Sequence, residues 1–124
     1  MRVRGEAIAH YYCHCDDCQL VHGGAYVPRI MYPLENVELV EGDIVTWALR
    51  TLPRTRCAKC GTFLFAEMES FGIRGLNAAL APAGFFKPLF HVQCQYAVRP
   101  VKDDLPHYKA FPRRFGGTDE LVTW

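Results

Sequence analysis

Five of the six cysteines in this chain fall into two tight groups, CHCDDC (Cys13, Cys15, Cys18) and CAKC (Cys57, Cys60), and no other feature limits its possible folds so strongly. Scattered cysteines build disulfide frameworks, whereas thiols two or three positions apart can turn toward one metal ion. The opening residues, MRVRGEAIAHYY, hold neither an apolar signal segment nor a small-residue cleavage site, so reduced thiols in the cytoplasm are the expectation. In CAKCG, Gly61 permits the tight turn that wraps backbone around sulfur, the outline of a zinc knuckle. No thioredoxin-like strand-helix-strand pattern surrounds either group, which disfavours a redox role.

CHCDDC has one cysteine more than a knuckle needs. If Cys13, Cys15 and Cys18 hold one Zn²⁺, three protein ligands leave a fourth position open, the arrangement of catalytic zinc. A thiol bound there is present as thiolate, its nucleophilic form, at neutral pH. A second reading stands beside this one: Cys15 and Cys18 join Cys57 and Cys60 in a closed four-thiolate zinc site, and Cys13 is a spare strand cysteine.

The rest of the composition bounds the problem. A chain of 124 residues, half of them hydrophobic, suits a single domain over 1–124 with a real core. No apolar run approaches the roughly 20 residues of a membrane helix. Fourteen Lys and Arg against thirteen Asp and Glu leave a net charge of +1, which makes nucleic acid and anionic membranes poor partners. Short runs rich in β-branched and aromatic residues alternate with Gly, Pro and Asp, and this predicts a mainly β fold with strands at 7–12, 25–32, 37–40, 44–49, 62–68, 71–80 and 91–98. Glu41-Gly42-Asp43 should close a hairpin between the third and fourth of these. Asp16 and Asp17 should cap a short helical turn over 18–22 that stops at Gly23-Gly24. Residues 81–88 read as an irregular loop, and 103–115 as a turn or short helix followed by a surface tail.

Taken together, CHCDDCQLVHGGAYV, RTRCAKCGTFLF and HVQCQYAVRPVKDDLPHYKAFP resemble, in order and spacing, the glutathione-dependent formaldehyde-activating enzyme (GFA) and CENP-V family over about residues 5–112. The resemblance implies a tent-like all-β zinc fold. It also implies a carbon-sulfur lyase activity that joins or releases formaldehyde and glutathione as S-(hydroxymethyl)glutathione. By that resemblance Cys13, Cys15 and Cys18 match the ligands of a catalytic zinc, and Cys57 and Cys60 one half of a separate structural zinc site. Family members usually carry an upstream C-x-C-G strand completing that second site; here no cysteine precedes Cys13, which leaves three expectations: a true start further upstream, a rearrangement to one zinc per chain, or a different ligand such as His10 for Cys57 and Cys60.

The remaining candidates have plainer readings. Strand alternation aims His14 away from the sulfurs, as a neighbour and not a ligand. His22 and His91 read as structural histidines, and Cys94 as a packing residue. Arg50, Arg54, Arg56 and Lys59 cluster beside the knuckle, most simply as a solvated surface; Arg50 and Arg56 are the candidates for pairing with the carboxylates of a glutathione-like substrate. Phe85, Phe86 and Phe90 serve equally as pocket wall or hydrophobic cover. The functional expectation is therefore a zinc enzyme acting on a thiol and a small aldehyde, with two rivals: a non-catalytic glutathione carrier, and a structural zinc module that binds a protein or nucleic acid.

Overall fold

The computed structural model describes residues 1–50 and 52–124. The strands are β1 (Arg2–Val3), β2 (Ala9–Cys13), β3 (Val27–Pro33), β4 (Val37–Glu38), β5 (Ile44–Ala48), β6 (Pro53–Cys57), β7 (Phe63–Met68), β8 (Ile73–Asn77) and β9 (Phe90–Val92). One α-helix, α1 (Asp16–His22), and five 3-10 turns complete the regular structure among the described residues. The expectation of a mainly β chain holds. No described helix is long and apolar enough to cross a membrane. The chain forms two compact units, Met1–Ala9 with Ile30–Phe86, and His10–Arg29 with Lys87–Trp124.

In the first unit β5, β6, β7 and β8 pair in succession, each antiparallel to the next, and β1 pairs antiparallel with β4. This corrects the expected hairpin at Glu41-Gly42-Asp43, because its two arms take different partners. Val37 pairs with Val3 and is buried in the core, so β4 places its one buried apolar side chain beside Val3 of β1. β5 finds its partner in Pro53–Cys57, a segment not expected to be a strand because PRTRC shows no apolar alternation. Thr46 and Thr55 share a hydroxyl hydrogen bond of 3.0 Å across this pair, and the Arg56 guanidinium lies 4.9 Å from the centre of the Trp47 ring. Arg54 departs from the solvated-surface expectation: it is 1% exposed and donates to the Leu52 carbonyl at 3.4 Å. The core gathers Ile30, Tyr32, Val37, Phe65, Leu76 and Ala78, with Phe86 packed against it. Burying one such large side chain contributes about 1.5–3 kcal/mol. The expected strand over 71–80 is shorter, because Gly72 turns left-handed at φ +64 before Ile73 and a 3-10 turn begins at Ala78.

The knuckle joins β6 to β7. The Cys57 N–H donates to the Thr62 carbonyl and the Gly61 N–H to the Cys57 carbonyl, both at 2.9 Å, with Gly61 at φ +76. A Cβ at Gly61 meets nothing within 4 Å, so Gly61→Ala carries only the left-handed backbone cost. Its urea unfolding midpoint should fall by the equivalent of about 1 kcal/mol, and an unchanged midpoint would show that the turn tolerates any residue.

In the second unit β2 and β9 run parallel, with Tyr11 opposite Phe90, Tyr12 opposite His91 and Cys13 opposite Val92. The strand expected over 91–98 stops at Val92, where Gln93 turns left-handed at φ 57 and a 3-10 turn takes Cys94–Tyr96. Cys94 is buried, as its packing role requires. The helix ends as expected at Gly23, φ +64, but its cap differs: the Cys15 thiol, not an aspartate, accepts the Cys18 N–H at 3.2 Å. Asp16 and Asp17 occupy the first turn, where the helix dipole favours negative charge. The supposed surface tail folds back. His107 bridges to His91 in parallel register, Tyr108 bridges to Leu121, and the Val122 N–H donates to the His107 carbonyl at 2.9 Å.

Candidate metal centre

Local geometry brings the first three cysteines together. Cys13 ends β2, Cys15 caps α1, and Cys18 lies one helical turn further on, so a six-residue span delivers three sulfurs to one place. Their Sγ atoms all lie within 4.8 Å of one another, and those of Cys13 and Cys18 are 3.8 Å apart. Two sulfurs at about 2.3 Å from one tetrahedral zinc are separated by roughly 3.8 Å, so the donor set suits that ion in both chemistry and spacing. Cys13 and Cys18 are buried and Cys15 is partly so.

A buried guanidinium completes the electrostatics. Arg29, on β3 and 3% exposed, donates to Cys18 Sγ at 3.6 Å and to His22 Nε2 at 3.1 Å. Hydrogen bonding to Cys13 and Cys15, followed by Arg29, holds the Cys18 thiol well below its ordinary range. Hydrogen bonds to Cys15 and Cys18, together with burial, push Cys13 well up. Cys15 is drawn down by Cys13 but more strongly raised by Cys18 and by burial, and is pushed up to about 11. The cluster alone thus concentrates its negative charge on the sulfur that Arg29 touches. Three thiolates on Zn²⁺ would carry a net charge of about −1, which Arg29 offsets.

A second constellation lies in the same unit. Asp103 accepts from His91 Nε2 and from His107 Nε2, each at 2.8 Å, and from the Leu105 N–H at 3.1 Å. Since a carboxylate only accepts, His91 carries its proton on Nε2 and presents Nδ1 as an acceptor. His14 Nε2, 2.9 Å away, is then the donor, and His14 Nδ1 is left as a buried lone pair with no partner. Tyr26 stacks on His14 at 4.7 Å, and the Trp124 ring lies tilted against His107 at 4.6 Å. Burial lowers His91, outweighing Asp103, and lowers His14 to about 4 with help from His91 and His107. Desolvation pulls Asp103 upward, but the His91 hydrogen bond, the Leu105 N–H and His107 overcome it and leave the carboxyl below its ordinary value.

The other candidates fall elsewhere. Cys57 and Cys60 belong to the first unit and to neither of the two groups of potential ligands found among the described residues, Cys13-Cys15-Cys18 and His91-Asp103-His107. Cys60 is exposed, and its bond with the Thr62 hydroxyl at 3.0 Å, first among several, lowers its thiol below the usual value. Arg50 and Arg56 are exposed residues of the first unit. His10 accepts the Lys87 N–H at Nδ1. Phe85 lines an apolar hollow in the first unit, and Phe90 is buried in the second, stacked 5.9 Å from Tyr11. Arg29, His91, Asp103 and His107 are what sequence reasoning missed as a set. The available signals were an arginine inside the apolar run VPRIMY and the four-residue spacing of Asp103 and His107.

The model of the family described as glutathione-dependent formaldehyde-activating enzyme matches residues 1–97, a span that holds both cysteine groups, Arg29 and His91 but not Asp103 or His107. No curated protein matches the chain.

Proposed function

The chain belongs to the glutathione-dependent formaldehyde-activating enzyme family, and from that premise we propose that its second unit is a zinc site at which a glutathione-like thiol and formaldehyde, or a related small aldehyde, are joined and released. The observation that carries this reading is the convergence of three sulfurs, at a spacing that suits tetrahedral zinc, beside a buried arginine. Held by Cys13, Cys15 and Cys18, the ion would supply a Lewis-acid centre with one open position, able to keep an added thiol in its thiolate form. The protein's own contribution is to fix the sulfurs. The Cys18 N–H on Cys15 sets the helix start, Arg29 neutralises charge at Cys18, and the Gln19 carboxamide ties the helix to the His14 and Tyr96 carbonyls at 2.8 Å each.

In the forward direction the thiol loses its proton, its sulfur bonds to the aldehyde carbon, and the carbonyl oxygen gains a proton; the lyase direction is the reverse. An open hollow of about 520 Å³ beside α1, lined by Asp16, Gln19, Leu20, Gly24 and Val98, offers room for the body of a tripeptide thiol in the same unit. Free thiols in the cluster suit the reducing cytoplasm, the compartment this reading favours.

The test uses zinc-loaded protein with glutathione and formaldehyde. We expect adduct formation faster than the uncatalysed reaction and saturable in glutathione. Glutathione binding without acceleration would make the protein a carrier. Absence of any binding at millimolar glutathione, with zinc retained, would defeat the glutathione assignment and favour a structural module.

A further inference from the structure

We propose that His91, Asp103 and His107 form a second metal site, distinct in chemistry from the three-cysteine cluster, that takes a divalent first-row transition ion. Nothing in the functional reading above uses these residues, and two of the three lie beyond the span that matches the family model.

The donor atoms already converge. His91 Nε2 and His107 Nε2 each face an oxygen of the same carboxylate at 2.8 Å, and one donor atom from each residue lies within 4.8 Å of the others. Around one ion with bonds of about 2.0–2.1 Å, donors at right angles are roughly 2.9 Å apart, so small movements turn these hydrogen bonds into coordination. The surroundings also fit. A ligating imidazole needs its remote nitrogen held, and His91 Nδ1 is bonded to His14 Nε2 at 2.9 Å; on metal binding through Nε2 that bond reverses, with His91 Nδ1–H donating. The Leu105 N–H fixes the carboxylate at 3.1 Å, and Trp124 covers His107. His91 is fully buried while the Asp103 side chain is 34% exposed, which gives an ion a way in from solvent and leaves positions for water. Two imidazoles and one carboxylate suit Fe²⁺, Co²⁺ or Zn²⁺, whereas three thiolates favour zinc and other thiophilic ions.

Cobalt distinguishes the two sites, since only thiolate ligands give intense sulfur-to-metal charge-transfer absorption. Full-length protein stripped of metal and titrated with Co²⁺ should bind two equivalents, one with charge transfer and one with weak ligand-field bands alone. His107→Ala and Asp103→Asn should each weaken the second by at least about 100-fold and leave the first intact. Retention of the charge-transfer equivalent reports that the variants are folded. The proposal is overturned if the wild type stops at the charge-transfer equivalent, or if the weak-band equivalent persists in both variants. Loss of charge transfer with the weak-band equivalent retained would instead count against the three-cysteine zinc site and uphold this one.

Discussion

Cys13→Ser should weaken zinc binding by about 100-fold or more at neutral pH. Structural zinc sites with four protein ligands are worth about 10–16 kcal/mol, or roughly 3 kcal/mol for each ligand, and a serine hydroxyl does not ionise to replace a thiolate. Cys13 sits 3.8 Å from Cys18 through sulfur and within the three-thiol group, so its removal leaves two ligands. A closed site built from Cys15, Cys18, Cys57 and Cys60 predicts the opposite, because Cys13 would then be a packing residue and its substitution would spare the metal. Competition against a chromophoric chelator measures the difference directly. Wild-type affinity in the variant, with unchanged circular dichroism, would reject the three-cysteine centre and with it the open position on which the proposed chemistry depends.

What the sequence revealed follows from how far apart in the chain each contact is. The three sulfurs were legible because C-x-C-x-x-C spans six residues, and a strand end followed by one helical turn brings them together whatever the rest of the chain does. The helix stop at Gly23 was legible for the same reason, as a left-handed position next to the last turn. The cap differs because aspartates usually serve there, while here Cys15 occupies the cap position itself and its sulfur accepts the Cys18 N–H. His14 and His91, by contrast, are 77 residues apart, and no periodicity announces a bond between them. The fourfold concentration of cations beside the knuckle drew attention to Arg50 and Arg56 through adjacency in sequence. The cation that touches a sulfur of the three-cysteine cluster is Arg29, in a strand whose apolar neighbours disguise it. The expected hairpin failed for a related reason: Glu41-Gly42-Asp43 is good turn chemistry, but the burial of Val37 against Val3 outweighed local turn preference.

The histidine network should make the fold acid-labile. An unfolded histidine takes up its proton near pH 6.5, whereas His14, 1% exposed and facing two other imidazoles, stays neutral until about pH 4. Below pH 6.5 the unfolded chain therefore binds more protons than the folded one, and stability declines as pH falls until the folded ring itself titrates. His91 is lowered in the same direction by its burial. Asp103, lowered by its hydrogen bonds, remains ionised in the fold as the unfolded carboxylate begins to protonate, which adds a loss of the same sign at more acidic pH. Above about pH 8 none of these groups contributes a slope. From His14 alone the unfolding free energy should drop by about 2 kcal/mol between pH 7 and pH 5. Urea unfolding at the two pH values, under excess chelator so that metal release plays no part, reads this out. Equal stabilities would mean that His14 is not held neutral in the fold, and a rise on acidification would mean that His91 is protonated there and paired with Asp103 as an ion pair.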